Sequence, residues 1–201
     1  MFRLAFASAL AAAALCAAPT AAGADLLSLY GQVHAGGSSG KGMGGDLKDD
    51  AFHDSASGAT YGVKVGAEIA LIDVWLQHDQ YYNDGGVHGT WTQIMTGLDM
   101  ELDFGSAYLE LGTGAGLAFG TGQQVDPPLD DGEITDKGII VEARGGLGYR
   151  FAPFLSIGAT VPVQAGYLLK SGPGTDVTGL SRGYTESSIA LLGYLRFNPK
   201  L

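Results

Sequence analysis

The clearest regularity along the chain is an alternation of apolar and polar residues with a period of two, beginning at Leu26. In residues 106–121, one face carries no charge, whereas the other holds Tyr108, Glu110 and mostly glycine. A period of two is typical of a β-strand whose two faces meet different surroundings. Eight segments show it, and we predict strands near residues 26–36, 59–71, 74–82, 90–102, 106–121, 138–151, 154–169 and 184–197.

The connections between these segments alternate between short and long. Tight turns are predicted at residues 71–73, 103–105 and 152–153, and long polar links rich in Gly, Asp, Ser and Pro at residues 36–58, 83–89, 122–137 and 170–183. This rhythm is typical of an up-and-down barrel with both termini at the short-turn end. We therefore predict an all-β, closed, antiparallel transmembrane barrel of about eight strands, with short periplasmic turns and long extracellular loops.

A membrane location is predicted because the uncharged faces are long and the polar faces are sparse. The chain contains 33 glycines and only 16% charged residues, and a soluble barrel, the alternative, would present a more charged exterior. Aromatic residues gather near strand ends, as membrane interfaces favour. At the predicted long-loop end they are Tyr61, Tyr81, Tyr82, Trp91, Phe119, Tyr167 and Tyr184, and at the short-turn end Phe104, Tyr149, Phe151, Phe154 and Phe197.

The predicted inward face carries charges of both signs, which must pair if they are buried. We expect Arg144, Glu142 and Glu110 to form a central cluster. Such a network would hold a small barrel rigid, and a gated or selective pore is the alternative. The predicted lumen charge network comprises Lys64, Glu68, Asp99, Glu101, Glu110, Glu142, Arg144, Arg150, Glu186 and Arg196, and Asp79 also faces inward.

The first 24 residues have the pattern of a secretory signal. Arg3 precedes a small apolar stretch, and the sequence from Ala22 to Ala24 offers a cleavage site before Asp25. We therefore predict a cleaved signal peptide at residues 1–24 and a single barrel domain at residues 25–201. Cleavage would remove Cys16, the only cysteine, so no disulfide or thiolate metal site is expected.

The acidic balance limits the possible partners. The chain has 11 Lys and Arg against 21 Asp and Glu, which gives a formal net charge of −10. Binding to nucleic acid is not expected, because it requires basic patches. Acidic residues cluster within residues 46–54 and 126–136 without the ligand spacing of a calcium loop. We expect no cofactor and no metal site.

The final predicted strand, TESSIALLGYLRF, carries the most specific pattern. With the signal, the eight alternating segments and the glycine-rich inward face, it resembles the small outer-membrane β-barrels of the outer membrane protein A-like class. The resemblance implies that the outer-membrane assembly machinery reads the end of this strand, although four more residues follow Phe197 here. The residues that match this signal are Ile189, Leu191, Gly193, Leu195 and Phe197.

Three functions are compatible with these patterns. The first is a non-catalytic, monomeric outer-membrane barrel with a structural or surface-interaction role, in contact with outer-membrane lipid and lipopolysaccharide. The second is a narrow channel for ions or small apolar molecules, similar to the outer membrane protein W-like group. The third is a barrel enzyme that modifies lipid A, and a surface protease is a further enzyme of this kind to consider. The residue types that such enzymes use for catalysis occur at His53 and Ser55 and at His78 and Asp79, but residue type is the only match. No catalytic site is therefore assigned.

Overall fold

The computed structural model describes residues 27–44, 56–83, 87–124, 134–171 and 182–198. These residues form eight strands, as the alternation predicted. The strands are β1 (Ser28–Gly44), β2 (Ala56–Ile69), β3 (Ile72–Asn83), β4 (Val87–Phe104), β5 (Ala107–Gln124), β6 (Ile134–Ala152), β7 (Leu155–Ser171) and β8 (Arg182–Phe197). Most extend further into the predicted long links than the sequence pattern suggested; β1, for example, continues to Gly44.

Each strand pairs antiparallel with the next, and β8 pairs with β1, so the sheet is a closed barrel. The predicted all-β, closed, antiparallel barrel of eight strands is thereby confirmed. If the direct cross-strand partners are followed from Gly31 around the barrel through all eight strands, the path returns to β1 at Met43 and not at Gly31. The strands are therefore staggered and strongly tilted relative to the barrel axis, as closure requires.

Three two-residue turns define one end of the barrel, which we call the short-turn rim. They are Ala70–Leu71, Gly105–Ser106 and Pro153–Phe154. Ala70 has φ of 57° and Gly105 has φ of 77°, values that tight hairpin turns often require. The first turn lies earlier than residues 71–73, where we predicted it. As a result, Asp73 belongs to β3 and not to a turn. The opposite end, where β1 ends and β2 begins, is the long-loop rim.

The two faces of the wall differ in chemistry. Outward positions are apolar and exposed, as Leu111, Val141 and Leu191 illustrate, and inward positions such as Glu110, Glu142 and Arg144 are buried. At the short-turn rim the predicted aromatic band is present on the outside, with Phe104, Tyr149, Phe151, Phe154 and Phe197 all exposed. No helix among the described residues is long and apolar enough to cross a membrane.

The predicted aromatic band at the long-loop rim needs a correction. Tyr61, Tyr82, Phe119 and Tyr167 are exposed on the outside. Trp91, in contrast, packs against the buried apolar cluster in the lumen, and Tyr81 lies on the inward side of β3 with its hydroxyl donating to the Thr121 carbonyl. Both follow the parity of their strands, which places alternate residues inside. The Tyr184 side chain lies outside the described residues.

Candidate functional site in the barrel lumen

Arg144 is the centre of a buried ionic network near the middle of the lumen. Its guanidinium lies 2.5 Å from the Asp99 carboxylate, 3.0 Å from Asp73, 3.1 Å from Glu142 and 3.2 Å from Glu110. The Arg144 side chain is only 3% exposed. Because these carboxylates come from β3, β4, β5 and β6, one side chain joins four strands.

We call the network of Arg144 and its four carboxylates the hub. A second guanidinium connects the hub to the place where β8 pairs with β1 and closes the barrel. Arg196 in β8 lies 2.8 Å from the Glu110 carboxylate and 2.9 Å from Glu101, and its Nε donates to Gln32 in β1. Glu110 therefore receives both arginines, one on each oxygen. Buried charges are tolerated where they are paired and hydrogen-bonded in this way.

Lys64 and three buried tyrosines complete the hub. The Lys64 Nζ lies 3.7 Å from the Asp73 carboxylate and 4.5 Å from the ring centroid of Trp75. The Tyr30 hydroxyl donates to Asp73. The hydroxyls of Tyr108 and Tyr194 lie 2.8 Å apart. Asp73 is thus held by an arginine, a lysine and a tyrosine.

The inward glycines make room for these rings. A Cβ on Gly148 would lie 2.2 Å from the Tyr108 ring, and one on Gly66 would lie 2.5 Å from Tyr30. Such approaches are sterically forbidden, so each large ring lies across a glycine of a neighbouring strand. Tyr194 crosses Gly158 and Trp91 crosses Gly120 in the same way, and the Trp75 ring of β3 reaches Gly114 two strands away in β5. The glycines on the inward face therefore leave the space that the large rings need to fill the lumen.

Above the hub, towards the long-loop rim, amide and imidazole groups give way to apolar side chains. The Gln164 amide donates to Glu142 at 2.7 Å, and the His34 Nε2 lies 2.6 Å from the Asp79 carboxylate. Next comes a buried cluster of residues from β3 to β7, to which the Tyr30 ring of β1 also belongs. Its members include Trp75, Met95, Ala118, Ile140 and Leu168, with Trp91 packed against it.

At the short-turn rim the lumen opens into a cavity of about 490 Å³. Arg150, Glu101, Asp103 and Arg196 line it. Arg150 pairs with Glu101, and it also lies 2.5 Å from the Asp103 carboxylate. Because Asp103 is 61% exposed, this outer pair is in contact with solvent and is weaker than the pairs in the hub.

The structure brings most of the sequence-predicted lumen residues together. Arg144, Glu142, Glu110 and Asp99 meet in the hub, Arg196 and Arg150 share Glu101, and Lys64 adjoins Asp73. Glu68 faces inward without an ion pair to any described residue. Glu186 lies in β8, with its side chain outside the described residues. Asp73 was missed, although its parity with Trp75, Gln77 and Asp79 could have placed it inside.

The structure does not assemble the candidate catalytic pairs. Asp79 points inward to His34, whereas His78 is exposed on the outside and contacts Thr92. His53 and Ser55 lie outside the described residues. Among the described parts of the chain, no group of His, Cys, Asp and Glu could hold a metal ion. The arrangement in the lumen can therefore hold strands in register and exclude water.

The predicted assembly residues occupy one face of β8. Ile189, Leu191, Leu195 and Phe197 are exposed there, two residues apart, and Gly193 lies among them. Phe197 also contacts Phe154, with ring centroids 5.8 Å apart. This strand is the one that closes the barrel against β1.

The fold and the filled, charged lumen are those of a small, closed, eight-stranded β-barrel. No protein-family model matches the chain, and no curated protein sequence matches it. Among solved structures, Neisserial surface protein A has 14% identity and a TM-score of 0.57, over 84% of this chain and 96% of its own. This likeness shows the fold.

Two further solved structures have lower TM-scores. The N-terminal β-barrel domain of OprF from Pseudomonas aeruginosa has 14% identity and a TM-score of 0.44, over 85% of this chain and 97% of its own. Ail, the attachment invasion locus protein of Yersinia pestis, has 12% identity and a TM-score of 0.35, over 84% and 98%.

Proposed function

We propose that this protein is an outer-membrane β-barrel, exported by its signal peptide, with a non-catalytic structural or surface-interaction role. The outward apolar wall supports the membrane location, because the inward face takes nearly all the charge. In hydrocarbon each Arg or Lys at mid-depth would cost about 2 to 4 kcal/mol. Closure of β8 on β1 also gives each of the eight described strands a partner on both sides, as a membrane requires.

The observation that carries the structural role is the packing of the lumen. The Arg144 hub, with its tyrosines, and the apolar cluster lie at successive levels of the lumen. Glu110, Tyr108, Trp75, Met95 and Ile140 are each at most 3% exposed. A path for ions would have to disrupt paired charges at one level and a dry apolar layer at another. A sealed barrel fits this arrangement better than an open pore.

A narrow channel is the second candidate, because the cavity at the short-turn rim reaches Arg196 at the edge of the hub. Planar-bilayer recordings on the purified barrel separate the two functions. The sealed barrel predicts no stable conductance steps, and reproducible steps would establish the channel. The Arg144→Met variant serves as a comparison, because it opens the tightest ionic layer.

The membrane location has its own test. The protein recovered from outer-membrane fractions should migrate differently on a gel before and after boiling, as folded barrels do. Recovery from the soluble periplasm with unchanged mobility would contradict the proposal. The assembly role of β8 is tested by Phe197→Ala, which should reduce the folded fraction in cells but not refolding in detergent.

A further inference from the structure

Pro162 lies in the middle of β7, a strand that has a neighbour on both sides. Proline has no backbone N–H, and within a sheet it is normally confined to edge strands and bulges. The pairing of β7 with β8 runs up to Thr160 and resumes at Val163, so Val161 and Pro162 form no pair with β8. On the other side, Pro162 pairs with Arg144 of β6. At this level the ladder is therefore interrupted only between β7 and β8, and we call this place the β7–β8 gap.

The missing N–H leaves one backbone carbonyl without its partner in the ladder. The register on both sides of the gap places Pro162 opposite Ala190 and Val161 opposite Leu191. Alternate pairs of an antiparallel ladder exchange both N–H···O bonds, and loss of the bond from the Pro162 nitrogen to the Ala190 carbonyl interrupts the ladder at these two positions. In the hydrocarbon of a membrane, a carbonyl without a donor is strongly unfavourable. The Ala190 carbonyl is therefore an acceptor that the neighbouring strand does not satisfy.

On the lumen side, small residues line the gap. Ala190 faces inward and pairs with Ser38 of β1. Ser188, the next inward residue of β8 towards the long-loop rim, pairs with Gly40. At this level β8 and β1 therefore place no large side chain behind the gap.

On the outer side, apolar residues border the gap. Val161 and Leu191 are exposed there, and so are Val163 and Ile189, which form the next pair towards the long-loop rim. The proposed membrane location places these four side chains in hydrocarbon. A molecule that reaches the gap from outside therefore comes from the lipid and has an apolar part.

A mostly apolar pocket begins beside the gap, inside the lumen. Gln164 and Ser188, which line it, form the inward ladder pair next to the gap. Its apolar walls belong to the buried cluster or pack against it, and they are formed by Trp91, Ile140 and Leu168. The pocket has a volume of about 10 Å³, so a longer occupant has to turn the Trp91 ring aside. The gap thus leads from the hydrocarbon to the apolar half of the lumen.

We propose that the β7–β8 gap admits an alkyl chain that carries a hydroxyl group from the surrounding membrane. The hydroxyl donates to the Ala190 carbonyl, and the alkyl chain displaces the Trp91 ring and packs against Ile140 and Leu168. The Arg144 hub stays closed, so the barrel binds the molecule without opening the lumen from end to end. This inference rests on the proposed membrane location, and it adds a lateral binding site and the chemical class of its ligand.

The test measures quenching of Trp91 fluorescence by brominated probes, in the barrel folded into phosphatidylcholine vesicles. Trp75→Phe makes Trp91 the only tryptophan. The probes are bromoundecanol, bromoundecane, which has the same chain without the hydroxyl, and a phosphatidylcholine with a brominated, hydroxylated acyl chain. Bromoundecanol should quench Trp91 at a concentration about tenfold lower than bromoundecane, the effect of one hydrogen bond. The third probe shows whether the site takes a free alcohol or the acyl chain of a lipid.

Pro162→Ala supplies the missing N–H to the Ala190 carbonyl. It should remove the preference for the alcohol and raise the urea midpoint of unfolding. Pro153→Ala, in the turn between β6 and β7, is the matched control and should retain the preference. An unchanged preference in Pro162→Ala would overturn the proposal, as would equal quenching of the Trp75→Phe barrel by bromoundecanol and bromoundecane.

A disulfide between Val161→Cys and Leu191→Cys closes the gap in a second way, because the register places these outward residues opposite each other. It should abolish quenching by bromoundecanol until it is reduced. Ile157→Cys with Leu195→Cys is the matched control, an outward pair in an intact part of the ladder, and should leave quenching unchanged. Equal quenching of the two oxidised variants would overturn the proposal. A barrel that shows no heat-modifiable mobility would instead contradict the proposed membrane location.

Discussion

The two halves of the lumen are filled by different chemistry. From the middle of the lumen towards the short-turn rim, Arg144 and Arg196 pair with carboxylates of β3 to β6, and the Tyr30 hydroxyl donates to one of them. Near the long-loop rim, Ile140, Leu168 and their neighbours fill the space with apolar side chains. The lower half depends on directed bonds that fix which strands meet, whereas the upper half depends on shape and excludes water from the hub beneath it.

This difference explains how a small barrel can bury so many charges. Attraction between opposite charges is stronger where water is excluded, and a carboxylate without its partner is correspondingly more unfavourable. The apolar layer above and the tyrosines within the hub provide such surroundings. The two halves are therefore expected to respond differently to substitution.

The largest effect is expected from Arg144→Met. The variant leaves four buried carboxylates without their shared cation, and Asp99 loses the one ion pair that the structure shows for it. Breaking a buried pair in this way lowers the free energy of unfolding by about 3 to 5 kcal/mol. Urea unfolding in lipid vesicles, followed by gel mobility, measures the change. An unfolding midpoint equal to that of the wild type would show that the hub does not stabilise the barrel.

Ile140→Ala tests the apolar half. Ile140 is 3% exposed, and its truncation leaves a cavity that lowers the free energy of unfolding by about 2 to 5 kcal/mol. Leu191→Ala is the matched control, because Leu191 is 61% exposed on the outer wall. A similar loss for both variants would mean that burial in the lumen is not what stabilises the apolar cluster.

Gly148→Ala tests the close approach of rings and glycines. The new Cβ would lie 2.2 Å from the Tyr108 ring, so the ring must move and lose its contacts with Tyr194 and Ser156. Overpacking of this kind lowers the free energy of unfolding by about 1 to 3 kcal/mol. Gly145→Ala, on the outward side of the same strand, has its nearest neighbour at 3.8 Å. If Gly148→Ala and Gly145→Ala have the same free energy of unfolding, the close packing of the Tyr108 ring on Gly148 does not stabilise the barrel.

Arg150→Gln should have the smallest effect. Its side chain is 34% exposed at the cavity of the short-turn rim, and solvent-exposed pairs contribute about 1 kcal/mol or less. The decrease in the free energy of unfolding should become smaller as salt is added, because ions screen exposed charges. The same unfolding assay at low and high salt measures it. A loss as large as that of Arg144→Met would remove the distinction between the rim and the hub.

The alternation in the sequence determined the number of strands, the residues on each face and the class of the fold. Parity is a local property, since each strand places successive side chains on opposite sides. For this reason Lys64, Glu110, Glu142 and Arg144 could be placed inside from the sequence alone. The predicted trio of Arg144, Glu142 and Glu110 also lies on neighbouring strands, where contact needs little knowledge of the register.

Only the tertiary structure decided which inward groups meet. The first turn ends before the predicted position, so Asp73 lies in β3. There it pairs with Arg144, which is far away in sequence. Because the strands of the closed barrel are staggered, Arg196 lies beside Glu101 and His34 beside Asp79 within the lumen, although neither pair is on adjacent strands. Register, turn position and stagger depend on all eight strands closing together, and no local pattern in the chain encodes that closure.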